Sequence, residues 1–160
     1  MDFALTKKKM RKCRDILATT GYAIIILVLW DFVKGIIYVN WSIPSIVESV
    51  NNPYAIAYIV FIIVELLFCV TIGLIFSKIG RGNKMIDNKT LVLSILLCVF
   101  ALACTSINIA AVVIESGFDI MTSVIFVEDI LFLYFSFRNL YSVITLIKLS
   151  KILKEQNNER

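Results

Sequence analysis

The chain has 160 residues, 59% of them hydrophobic, with 16 Lys and Arg, 12 Asp and Glu, and no histidine. Soluble domains are roughly 45–50% apolar, so this composition excludes an ordinary soluble fold. The missing histidine excludes histidine-ligated haem, zinc and non-haem iron, and all Ser-His or Cys-His catalysis.

The apolar excess falls into four blocks. A spanning helix needs about 20 apolar residues, because the hydrocarbon core is ~30 Å thick and a helix rises ~1.5 Å per residue. Residues 1–17 precede the first block and carry Lys7, Lys8, Lys9, Arg11, Lys12 and Arg14. A basic stretch before an apolar run can open a signal peptide. Here the run exceeds the ~7–15 residues of an h-region and no A-x-A-like site follows, so the reading is an uncleaved first span. The six cations are expected to contact anionic lipid, at ~1 kcal/mol per basic side chain near the surface. Cys13 lies among them and reads as a free thiol.

The first span is predicted over 18–38, with Asp31 and Lys34 inside it. Trp30 is expected to pack between helices. The loop 40–53 has no Lys or Arg. It opens on the sequon Asn40-Trp41-Ser42, which lies against the membrane surface and so makes a poor glycosylation acceptor.

The second span is predicted over 54–77, with Glu65 near its middle. Lys78, Arg81, Lys84 and Lys89 follow it. The third, over 90–114, carries Ser94, Cys98, Ala101, Thr105 and Asn108 at three- and four-residue steps, a stripe of small and polar side chains that lets membrane helices approach closely. The loop 115–119 has no Lys or Arg. The fourth span, over 120–147, holds Glu128, Asp129 and Arg138. It is longer than a bilayer requires and must tilt or extend beyond it. The tail 148–160 adds Lys148, Lys151, Lys154 and Arg160.

Of the 16 basic residues, all but Lys34 and Arg138 fall in the N-terminal segment, the second loop or the tail. Four spans put these three on one side. Lys and Arg favour the cytoplasmic side, so both termini are expected there, in the plasma membrane. Tyr38, Trp41, Tyr54 and Phe118 fall at the opposite ends of the spans, where amphipathic rings prefer the interface. The four cysteines form no C-x-x-C and none lies in an outer loop, so no disulfide framework or thiol-redox centre is indicated. A single arginine in the fourth span is no voltage-sensor ladder.

The expected fold is therefore one all-α membrane domain, a four-helix bundle with short loops, interacting with the lipid bilayer and not with nucleic acid. Its polar chemistry rests on Asp31, Lys34, Glu65, Asn108, Glu128, Asp129 and Arg138. A charge at the bilayer centre costs ~2.5–3.5 kcal/mol or more and usually faces the bundle interior with a partner. The span charges comprise four acids and two bases, so an ionised interior has surplus negative charge that a proton, a cation, water or a partner must relieve. One reading is an interaction or accessory subunit of a membrane assembly, homo-oligomeric or with other subunits. The other is a proton- or cation-coupled transporter or channel component. An enzyme is disfavoured: no D-x-x-D or E-x-x-H ligand spacing occurs, and adjacent Glu128 and Asp129 diverge by ~100° on a helix. No cofactor or metal is expected.

Overall fold

The computed structural model describes residues 3–42, 53–82, 86–115 and 120–158. They form four helices: α1 (Phe3–Ser42), α2 (Pro53–Gly80), α3 (Asn88–Glu115) and α4 (Ile120–Asn158). Each is long and apolar enough to cross a membrane, and together they make an all-α bundle of a multi-pass membrane protein. Phe118 lies outside the described residues, as do the side chains of Tyr38, Trp41 and Tyr54.

Two helices are longer than their spans. α1 has 40 residues and α4 has 39, so each runs ~60 Å, about twice the hydrocarbon thickness. The basic segment continues the helix of the first span without a break. Leu, Lys, Arg and Met are good helix formers and nothing interrupts them before Gly21. The sequon falls in the last turn of α1. The tail likewise extends α4.

The shorter helices have local stop and start signals. α2 begins on Pro53, whose missing N–H costs nothing in a first turn. It ends where Gly82 takes φ 81° and donates its N–H to the Ile79 carbonyl at 3.0 Å, a left-handed cap that glycine adopts without strain. α3 is capped by Asp87, whose Oδ1 accepts from the Thr90 N–H at 2.9 Å and the Thr90 hydroxyl at 2.8 Å.

α1 and α4 are the central pair. α2 packs on α1, α3 packs on α4, and α2 meets α3 only marginally. The named touch between these last two is Phe68 on Phe100, with ring centroids 5.1 Å apart. Buried positions on α1 recur at three- and four-residue steps, as in Leu17, Thr20, Ile24 and Val28, the spacing of one helix face. Against it pack Ile72, Phe76 and Ile79 of α2 and Val143 and Leu146 of α4.

Glycines set the α1–α2 distance. A Cβ on Gly21 would lie 2.7 Å from the Gly73 carbonyl oxygen, and one on Gly80 would lie 2.5 Å from the Ala18 nitrogen. The backbones themselves are in contact, which only glycine permits.

This tight core occupies the half of the bundle that carries both termini. Outward-facing Val, Ile and Leu cover the surface, including Ile26, Val64, Leu67 and Val99, as a chain solvated by lipid requires. Towards the far end the described side chains are less enclosed, and the polar groups gather there.

Candidate functional site: an intramembrane polar cluster

Contacts between helices fix which residues share a level. Trp30 and Lys34 of α1 reach Glu128 of α4, and Asn108 of α3 reaches Asp129 of α4. Glu65 of α2 lies within electrostatic reach of Asp31, Asp129 and Lys34. Thus Asp31, Lys34, Glu65, Asn108, Glu128 and Asp129 occupy one layer, reached from all four helices. It lies ~4–11 residues inside the far ends of the spans, or ~6–16 Å deep.

Lys34 is the hub. Its Nζ stands 2.8 Å from Asp31 Oδ1 on its own helix and also pairs with Glu128 Oε2 across the α1–α4 seam. The side chains of Lys34 and Glu128 are 17% and 13% exposed, against 46% for Asp31, so the interhelical pair is the enclosed one. The other oxygen of Glu128 accepts from the Trp30 indole N–H at 2.6 Å. Trp30 thus differs from the expectation that it packs between helices. Its residue is 53% exposed, with the ring towards lipid and its one polar atom tied to the cluster, the division an indole favours.

Glu128 and Asp129 diverge, as adjacent residues on a helix must. α4 lies between α1 and α3, so Glu128 serves one neighbour and Asp129 the other. Both oxygens of buried Asp129 accept from Asn108 Nδ2, at 2.9 and 3.1 Å. The stripe Ser94, Cys98, Ala101 and Thr105 is buried on α3, whose main neighbour is α4. Ser94 donates to its own helix at Thr90 O, 3.0 Å, while the Thr105 hydroxyl, one turn from Asn108, has no partner among the described residues.

Glu65 is the exception in the layer. It is half-buried and has no hydrogen bond or ion pair among the described residues. It stands one turn beyond the Phe68–Phe100 contact, on the side of the bundle where α2 and α3 barely meet.

Arg138 does not join the cluster. It is exposed, its Nη1 donates to Tyr134 OH at 2.8 Å, and its guanidinium lies 5.6 Å from that ring's centroid. Its neighbour Asn139 is fully buried and accepts from the Thr20 hydroxyl. That places Arg138 level with the start of the first span, near the terminus-bearing end, where a long cation can reach headgroups. Tyr141 and Tyr22 are exposed at the same end, an aromatic belt. The Thr20–Asn139 bridge forms a second polar layer that sequence reading left unconnected. Interhelical pairing is invisible until the register is known.

All four cysteines are free thiols. Among the described residues no three His, Cys, Asp or Glu side chains come together as a metal site. The chain matches no protein-family model, no curated protein and no solved structure.

Proposed function

We propose that the chain is an interaction subunit of a membrane assembly, and that a partner's transmembrane helix bearing a Lys or Arg docks on the α2–α3 side against Glu65. The observation that carries this is the unanswered carboxylate. Asp31, Glu128 and Asp129 each have a partner, and Glu65 has none among the described residues. Apolar surface alone gives no drive for association within lipid, so a buried charge pair or hydrogen bond supplies specificity there.

The occupant is a different protein rather than a second copy. Lys34 is already engaged. Arg138 lies at the level of Thr20, eleven residues from the level of Asp31, so in a parallel copy it would miss Glu65 by roughly 16 Å.

A photo-crosslinking residue at Phe61, one turn from Glu65 on the same face, should capture a discrete membrane partner in native membranes. The same probe at Leu74, on the opposite face of α2, should not. Glu65→Gln should abolish the Phe61 adduct while leaving the thermal transition of the purified chain unchanged. An adduct equally strong in the Gln variant would overturn the docking role.

The alternative is proton- or cation-coupled transport. It draws on the same layer, where Asp31 and Asp129 lie within electrostatic reach of Glu65 and Lys34 is the one cation among the described residues. Proton or cation flux through reconstituted chain alone, lost in Glu65→Gln, would select it.

For orientation, the basic residues support cytoplasmic termini in the plasma membrane. Cysteines introduced at Ser45 and Ser116 should react with an impermeant thiol reagent from outside, and those at Asn83 and Asn158 only after permeabilisation. Outside labelling at Asn83 would reverse the assignment.

A further inference from the structure

The start of α1 and the end of α2 meet in a corner of cations that form no ion pair among the described residues. Arg14, Ala18 and Tyr22 follow one another at four-residue steps along a strip of α1, and the end of α2 runs against that strip. At Gly80 the backbones touch: a Cβ there would lie 2.6 Å from the Arg14 carbonyl oxygen and 2.7 Å from the Ala18 Cβ. The helix then closes in its glycine turn. This sets Gly82 beside Arg14, whose Nη1 stands 3.2 Å from the place a Gly82 Cβ would take. Arg81, in the same turn, has its guanidinium 5.2 Å from the Tyr22 ring centroid.

Two guanidinium groups are thus held at the bundle's edge by backbone and by an aromatic face. Neither has a carboxylate partner among the described residues. Arg14 Nε is cut off from water and has no acceptor, an arrangement that costs free energy until an acceptor arrives. The adjacent Lys78 is exposed and adds positive charge. Guanidinium binds phosphate through two parallel N–H donors, and basic pockets between membrane helices suit phospholipid headgroups. Tyr22 marks the interfacial level at which such a headgroup lies.

We propose that Arg14 and Arg81, positioned by the Gly80–Gly82 turn and Tyr22, form a binding site for a phosphate monoester or diester, supplied by the headgroup of an anionic membrane phospholipid. The site differs from diffuse attraction by the exposed lysines of α1, because its donors are fixed and its glycines admit the backbone approach that fixes them.

The test uses full-length chain reconstituted in phosphatidylcholine vesicles with and without phosphatidylglycerol, then transferred to neutral detergent for native mass spectrometry. Wild type should retain phosphatidylglycerol. The Arg14→Gln/Arg81→Gln variant should bind it about thirtyfold more weakly, since one basic side chain near the surface contributes about fivefold. Lys8→Gln/Lys9→Gln removes the same charge from the exposed face and, in neutral detergent where no anionic membrane surface remains to attract it, should leave the binding of retained lipid nearly unchanged. Equal losses in the two double variants, or no loss in the arginine variant, would overturn the site. Glycerol 3-phosphate, added in detergent without lipid, separates the sources. Arginine-dependent competition by it would keep the phosphate site and assign it a soluble ester, and failure to compete assigns it the lipid. Far-ultraviolet circular dichroism of both variants, with an Arg14→Lys/Arg81→Lys variant that keeps the charge but loses the forked donor, separates ligand loss from misfolding.

Discussion

Lys34→Met should destabilise the bundle by about 3–5 kcal/mol, the cost of removing one partner from a buried ion pair. Lys34 answers both Asp31 and Glu128. Without it, two carboxylates face each other across the α1–α4 seam with Asp129 close by. The Trp30 N–H still holds one oxygen of Glu128, but a neutral donor does not neutralise a charge. Reversible unfolding in mixed micelles, titrated with a denaturing detergent, measures the loss. The triple variant Asp31→Asn/Lys34→Met/Glu128→Gln separates the two components of the effect. It removes the whole network, leaves no orphaned charge, and should recover most of the stability. That recovery is expected because breaking a buried pair is costly while replacing it whole is often neutral. A silent Lys34→Met would mean that water reaches the pair, which would then be worth the 0–1 kcal/mol of a surface ion pair.

The fold class was legible because apolar length is a strong signal. Four blocks of sufficient length, with few breakers inside them, leave little besides four membrane helices. Element ends were less legible. The basic segment 1–17 and the tail 148–160 stand apart from the spans in charge, yet helix propensity carries α1 back to Phe3 and α4 on to Asn158. Asp87 and Gly82 are recognisable cap residues in the sequence, and their spacing from the apolar blocks marks the ends of α2 and α3.

The polar layer was legible in depth but not in partnership. Counting from span ends places Asp31, Lys34, Asn108, Glu128 and Asp129 at similar heights. It cannot tell that Glu128 faces α1 and Asp129 faces α3, because that depends on α4 lying between them. Counting also sets Glu65 near the midplane and Arg138 in the inner half, but it does not tell which of the two joins the layer. Register puts the first in the layer and the second by the terminus-bearing end. The α3 stripe of small residues drew attention as a packing signal. Close backbone approach comes instead at Gly21, Gly73 and Gly80, and α2 carries its own small-residue stripe there, Cys69, Gly73, Ser77 and Gly80, at three- and four-residue steps.

Those glycines give the second large effect. Gly80→Val should destabilise the bundle by about 2–3 kcal/mol, as overpacking does in a filled interface. The clash is with the Ala18 nitrogen and the Arg14 carbonyl at 2.5 and 2.6 Å, both backbone, so no rotamer change relieves it and the helices must separate. Helix propensity acts the other way: replacing glycine by alanine inside a helix gains up to ~1 kcal/mol. The sign of the alanine variants is therefore decisive. Gly21 and Gly73 face each other reciprocally, a Cβ on either lying 2.7 Å from the carbonyl oxygen of the other. Gly21→Ala and Gly73→Ala should each destabilise, because strain at a backbone contact outweighs the propensity gain. Once one methyl has forced the helices apart, the second has less to displace. The double variant should therefore lose less than the sum of the singles, by about 0.5–3 kcal/mol, the coupling typical of residues in contact. Additive stabilisation of ~1 kcal/mol per alanine would show that α1 and α2 stand further apart than backbone contact. The turn that sets Gly82 beside Arg14 would then lose its footing as well.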